Sequence, residues 1–162
     1  MKQLLRAGLA ALAFAALAAP ALAVPHAGDA APPFAIGKLG GGKIALANFR
    51  GKPLYVNFFA SWCGPCNVEA PAIGRLYRRY HARGLQVLGV DELEEPGPAK
   101  EFARKYGWPF PIGLDADGSM GHDYGTIYLP VQVFIDKSGK VSTYRIGPME
   151  PGDVEDAIKK IL

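Results

Sequence analysis

Asn57-Phe58-Phe59-Ala60-Ser61-Trp62-Cys63-Gly64-Pro65-Cys66 contains both cysteines of the 162-residue chain, at the end of an apolar run that starts at Leu54. Two sulfurs at Cys-x-x-Cys spacing at the start of a helix lie on one face about one turn apart, the first over backbone N–H groups that the helix leaves unpaired. Those groups favour thiolate over thiol, so the pair reads as a dithiol that opens and closes. Pro65 suits the first helical turn, where its missing N–H is not needed. An even cysteine count also fits a structural disulfide. A bridge over so short a loop restricts the unfolded chain little, which weighs against that reading.

Outward from this stretch, Leu54-Tyr55-Val56-Asn57-Phe58-Phe59 is the nearly continuous apolar run of a central strand covered on both faces. After the cysteines, Ile73, Leu76, Tyr77 and Tyr80 fall at i, i+3, i+4 and i+7 and predict a helix to about Arg83, kinked near its first turns by Pro71. Residues 85–90 predict a second buried strand, and residues 99–106 a second helix with Phe102, Ala103 and Tyr106 inward. Strand alternating with helix implies parallel pairing. Residues 131–135, the turn Asp136-Lys137-Ser138-Gly139 and residues 141–146 predict an antiparallel hairpin. A last helix is expected from Asp153 as N-cap, burying Val154, Ala157, Ile158, Ile161 and Leu162. Upstream, Phe34-Ala35-Ile36 and Lys43-Ile44-Ala45, separated by Gly37, Gly40, Gly41 and Gly42, predict a small hairpin before this βαβαββα order.

The N-terminus carries Lys2 and Arg6, an Ala/Leu-rich run, Pro20 and Ala21-Leu22-Ala23, which reads as a signal peptide over residues 1–23, cleaved after Ala23 or retained as an anchor. Residues 24–33 read as a linker and 34–162 as one domain. Removing two positive charges lowers the formal net charge from +3 to +1 (3 − 2). So neutral a chain gives no field for nucleic acid. A monomer is expected.

Beyond the strand–cysteine stretch, Ala31-Pro32-Pro33-Phe34, Asn48-Phe49-Arg50-Gly51-Lys52-Pro53 and Leu129-Pro130 ahead of Phe134-Ile135-Asp136-Lys137-Ser138-Gly139-Lys140 make the chain resemble the TlpA/ResA group of exported thioredoxin-like thiol-disulfide oxidoreductases. The resemblance implies a thioredoxin fold, α/β, with a central mixed sheet flanked by helices. It implies attack by Cys63 and resolution by Cys66, with Trp62 packed beside the site. By the same likeness Pro130 is expected to be cis and to leave the Leu129 backbone free for an extended substrate segment. Glu69, three positions after Cys66, matches an acidic residue of ResA-like proteins and is expected to take the Cys66 proton. Asn57 stands where thioredoxin has a buried aspartate, and an amide cannot accept that proton.

The implied activity is reduction of disulfides in exported proteins outside the cytoplasm, in the periplasm where the cell has one. Cytochrome c maturation is one candidate route, and a membrane thiol-transfer protein of the CcdA/DsbD kind is the expected electron donor. No cofactor beyond the Cys63–Cys66 pair is expected. The competing readings are a dithiol oxidase, and a binding module with an inert disulfide or metal-holding thiols. His26, His81 and His122 are scattered and supply no second ligand pair for zinc. Peroxide reduction is disfavoured because Ala60 and Val56 stand where that chemistry's signature has threonine and proline. Asp91, Glu92, Glu94 and Glu95 read as a solvated acidic loop near the rim, and Arg75, Arg78, Arg79 and Arg83 as an exposed helix face.

Overall fold

In the computed structural model, which describes residues 24–162, β3 (Leu54–Phe59) is buried at every position. The segment 1–23, read as a signal peptide, lies outside the described residues. As the two-residue period of a strand requires, Tyr55 and Phe59 enter the core on one face of the sheet, and Leu54, Val56 and Phe58 the core on the other. β3 pairs in parallel with β4 (Gln86–Glu92) and antiparallel with β6 (Val131–Ile135). β5 (Ile112–Asp115) runs parallel to β4 and joins the hairpin of β1 (Ala35–Lys38) and β2 (Lys43–Ala45) to the sheet. With β7 (Val141–Ile146) at the far edge, the order is β2-β1-β5-β4-β3-β6-β7.

Three helices supply the first core. α1 (Gly64–Tyr80) buries Ala70, Ile73, Leu76 and Tyr80, α2 (Pro96–Tyr106) buries Ala99 and Phe102, and α4 (Pro151–Ile161) buries Val154, Ala157, Ile158 and Ile161. α3 (Ser119–Tyr124) covers the opposite face with Met120 and Tyr124. This is the thioredoxin fold, a mixed sheet with helices on both faces behind an N-terminal hairpin.

Several expectations change. β5 and α3 escaped the sequence pattern because four residues containing Gly113 show no alternation, and Gly121, His122 and Asp123 are weak helix formers. α2 and α4 each start earlier than expected, at Pro96 and Pro151, with Glu95 and Glu150 as N-caps that make no side-chain cap bond. Asp153 therefore sits inside the first turn of α4 and does not cap it. Proline is itself a helix-start signal at the first position. α1 ends at Tyr80 and continues as a 3-10 turn to Arg83, stopped by Gly84 at φ 101°. Residues 24–33, expected as a linker, run against the β6–β7 turn: Gly28 N–H donates to Val141 C=O at 2.8 Å, Ala31 N–H donates to Gly139 C=O at 3.0 Å, and Ala31 is buried.

Gly89 of β4 lies under an aromatic cluster, where an added Cβ would come within 2.8 Å of Ile112, 3.0 Å of Trp108 and 3.2 Å of Phe59. Two of these neighbours are flat rings locked by mutual edge-on packing at 5.0 Å, so they have little room to withdraw. Gly89→Ala is expected to destabilise the fold by about 1–3 kcal/mol, read as a lower urea midpoint with an unchanged slope.

Candidate active site

The central strand delivers Ala60-Ser61-Trp62 directly to the first turn of α1. Cys63 is its N-cap, in extended conformation, and its Sγ accepts the backbone N–H of Cys66 at 3.2 Å. A disulfide joins Cys63 to Cys66. Asn67 ties the loop down: its amide nitrogen donates to the carbonyls of Ser61 and Cys63, both at 2.9 Å, and its amide oxygen accepts from the Tyr106 hydroxyl at 2.6 Å. Glu94 holds the other side, accepting from the Ser61 N–H at 2.5 Å and the Ser61 hydroxyl at 2.6 Å.

Cys63 keeps only 4% of its surface, on the floor of a groove of about 380 Å³. Trp62, Leu93, Ile127 and Tyr128 line this groove and are exposed at 69%, 66%, 74% and 73%. Trp62 thus stands beside the site as part of an apolar rim and does not fill the core. Pro130 is buried and its bond to Leu129 is cis, so the predicted isomer is present, with Leu129 also lining the groove.

Behind the dithiol, Glu69 lies one helical turn beyond Cys66 and is 6% exposed. Met149 N–H donates to its carboxyl at 3.0 Å, and Gln132 Nε2 at 3.2 and 3.4 Å. Gln132 Oε1 in turn accepts from the Tyr55 hydroxyl at 2.6 Å. Burial drives the Glu69 pKa up to about 7, and the bonds from Met149 and Gln132 restrain the rise. Asn57 lies opposite Gln132 in the β3–β6 ladder; its amide nitrogen lacks a well-formed bond and gives the carboxyl a further stabilising contribution. Sequence reasoning found Glu69 and Asn57 but missed Gln132, whose only signal is its place two residues after Pro130.

Only part of the acidic stretch after the second strand is a solvated loop, with Glu94 half-buried and Glu95 exposed. Asp91 and Glu92 belong to β4, 0% and 5% exposed, and Asp91 pairs with Phe59. Burial, then the adjacent Glu94 carboxyl, pushes Asp91 up to about 8. Burial followed by Asp115 and Asp91 does the same for Glu92. Their apolar neighbours Leu88 and Val90 continue the strand, so the run of acids concealed the strand's last two residues. Among the described residues no group of three or more His, Cys, Asp or Glu side chains could hold a metal ion.

The AhpC/TSA family model matches residues 27–144 of this chain. The chain belongs to the AhpC/TSA family. Within the family it is 37% identical over 134 residues to the thiol-disulfide oxidoreductase ResA of Bacillus thuringiensis subsp. konkukian, covering 83% of this chain and 78% of that protein. A Chlorobium tepidum crystal structure described as a DsbE thiol:disulfide interchange protein superposes with a TM-score of 0.79 at 30% identity, covering 85% of this chain and 98% of that one. A secreted Mycobacterium tuberculosis disulfide oxidoreductase homologous to E. coli DsbE gives 0.71 at 25% identity, covering 78% and 95%. The family relationship places the chain with the ResA-type thiol-disulfide oxidoreductases.

Three carboxyls around the site keep their protons in the folded protein to about pH 7 or 8, whereas in the unfolded chain they lose them near 4.5 for Glu69 and Glu92 and 3.8 for Asp91. Between those limits the folded state binds more protons, so stability falls as pH rises. The urea midpoint of the oxidised protein is expected to drop from pH 5 to pH 8.5, and Glu69→Gln to flatten part of that slope. A midpoint that rises across this window contradicts the assignment.

Proposed function

We propose that the protein reduces disulfides of exported proteins through the Cys63/Cys66 pair. The observation that carries this reading is the Cys63 sulfur capping α1, because a group that accepts a helix N-terminal N–H is favoured as an anion. In the reduced protein the Cys63 thiolate attacks a partner disulfide, forming a mixed disulfide and releasing one partner sulfur. Cys66, deprotonated by Glu69, then attacks Cys63 Sγ, which frees the second partner sulfur and closes the Cys63–Cys66 bridge. The partner segment lies in the groove beside Leu129 and Pro130, its backbone running along the Leu129 main chain and its side chains on the Trp62, Ile127 and Tyr128 rim.

Glu69 suits its role because a base with a pKa near the working pH is ionised often enough to accept a proton and basic enough to hold it. Gly64-Pro65 between the cysteines matches thioredoxin and supports a reducing potential nearer about −270 mV than the roughly −120 mV of a strong oxidant. Export is supported by the charged, then apolar N-terminus and by the secreted M. tuberculosis neighbour. Every turnover leaves the pair oxidised, so an extracytoplasmic reductase needs electrons carried across the membrane. A thiol-transfer protein of the CcdA/DsbD kind meets that need, and apocytochrome c disulfides are the substrate class that the resemblance favours.

The direct test is a redox titration with a trapping experiment. A potential within about 40 mV of thioredoxin's, and exported proteins captured as mixed disulfides by Cys66→Ser but not by Cys63→Ser, are the expected results. A potential near the oxidant end reverses the direction of the reaction, and a bond that resists reduction makes the bridge structural. Glu69→Gln is expected to slow exchange about tenfold or more at pH 7 and to remove an inflection near that pH from the rate profile.

A further inference from the structure

The groove that exposes Cys63 is lined by an acidic residue, Glu92, whereas Glu69 is not among its lining residues. Glu92 ends β4, is 5% exposed and lines the groove together with Cys63, Leu93 and Thr126. Its Oε1 has no hydrogen-bond partner, although a buried polar atom normally has one. Room for this carboxyl is built into the neighbouring helix: a Cβ on Gly121 would come within 2.5 Å of both Glu92 oxygens and 2.3 Å of the Thr126 hydroxyl. Asp115 on β5 is also buried and acts on Glu92, and its carboxyl accepts from the backbone N–H groups of Met120 at 3.1 Å and Gly121 at 2.7 Å. The glycine, the unpaired oxygen and the open groove together describe a side chain held for something that enters the groove.

Resting on the disulfide-reductase reading, we propose that Glu92 is the general acid of the first exchange step, giving its proton to the partner sulfur expelled when Cys63 attacks. In-line displacement puts the leaving sulfur on the far side of the attacked one from Cys63, within the groove that Glu92 lines. The proton count closes. Cys63 enters as thiolate, the Cys63–partner S–S bond forms as the partner S–S bond breaks, and the leaving sulfur takes the Glu92 proton. Cys66 gives its proton to Glu69, attacks Cys63 Sγ and expels the second partner sulfur, which takes a proton from solvent at the open groove, and Glu69 returns its own proton to solvent. Two electrons pass from the cysteine pair to the partner, two partner thiols result, and Glu92 recovers its proton from solvent.

The environment keeps Glu92 supplied with that proton. The ionisable groups acting on it are Asp115 on β5 and Asp91 on its own strand, and Cys63 and Tyr128 share the groove lining with it. From α3 only the Gly121 backbone approaches, since His122 and Asp123 are exposed or half-exposed and pair with each other at 3.8 Å, and the Tyr124 hydroxyl donates to Pro32 C=O. Burial and the two aspartates push its pKa up to about 8, and the Thr126 hydroxyl partly opposes them.

Leaving-group chemistry tests this directly, because a sulfur of low basicity departs without a proton and an alkyl sulfur does not. The reduced wild-type protein and Glu92→Gln are compared by stopped flow against two uncharged disulfides, 2,2′-dithiodipyridine and 2-hydroxyethyl disulfide. Glu92→Gln is expected to match the wild type on the pyridyl disulfide within about twofold and to fall about tenfold or more on the alkyl one. Only the wild type should lose alkyl-disulfide rate above about pH 8, where Glu92 gives up its proton. Equal rates on both compounds, or an equal loss on both, overturns the proposal while leaving disulfide reduction intact. A wild-type protein that reduces neither compound overturns disulfide reduction itself. If Glu92→Gln fails to fold, Thr126→Val decides: removing the opposing hydroxyl should move the alkaline fall to higher pH, and an unmoved profile counts against Glu92.

Discussion

The Cys66 N–H to Cys63 Sγ hydrogen bond joins the fold to its chemistry, and much of the structure serves to place it. A helix start in water would find solvent for its unpaired N–H groups. Here a sulfur takes one of them, because β3 enters the helix with no slack between its last buried residue, Phe59, and the cap. The strand in turn is fixed by neighbours on both edges and a core on both faces, so a shift of one residue would move Tyr55 and Phe59 out of one core and into the other. Asn67 and Glu94 then both hold Ser61, the middle one of the three intervening residues.

Around this cap the protein buries carboxyls that a stability-driven design would avoid. Burying an ionised group is costly, and the groups respond by keeping their protons. Glu69 lies behind the sulfurs in a chain of bonds with Gln132 and Tyr55, while Glu92 stands on the groove wall and Asp91 beneath the loop that Glu94 braces. Thiol-disulfide exchange moves two protons with its two electrons, and the arrangement puts proton-bearing groups on both the resolving side and the partner side. The cost is a fold that weakens as pH rises through the range in which the carboxyls ionise.

What could be seen in the sequence was whatever one strong local pattern dictates. The uninterrupted apolar run of β3, the 3.6-residue period of α1, the Asp-Lys-Ser-Gly turn and the Cys-x-x-Cys spacing each have one dominant cause, and all four are present. β5 was hidden because a four-residue strand carrying Gly113 is specified by its partners and not by its own residues. The early starts of α2 and α4 were missed by seeking an oxygen cap where a proline sets the first turn. Asp91 and Glu92 looked solvated because charge usually marks surface. Glu92 is buried against Gly121 of α3 and beside Asp115 of β5, elements remote in sequence. Gln132 had no pattern of its own, since only the β3–β6 register brings it opposite Asn57.

The central claim is that the start of α1 holds Cys63 as an anion. Titrating the reduced protein by thiolate absorbance, with Cys66→Ser to isolate one sulfur, measures this most directly. A Cys63 pKa below about 7.5 is the predicted result, and a value at or above the ordinary thiol's, about 8.5, would contradict it.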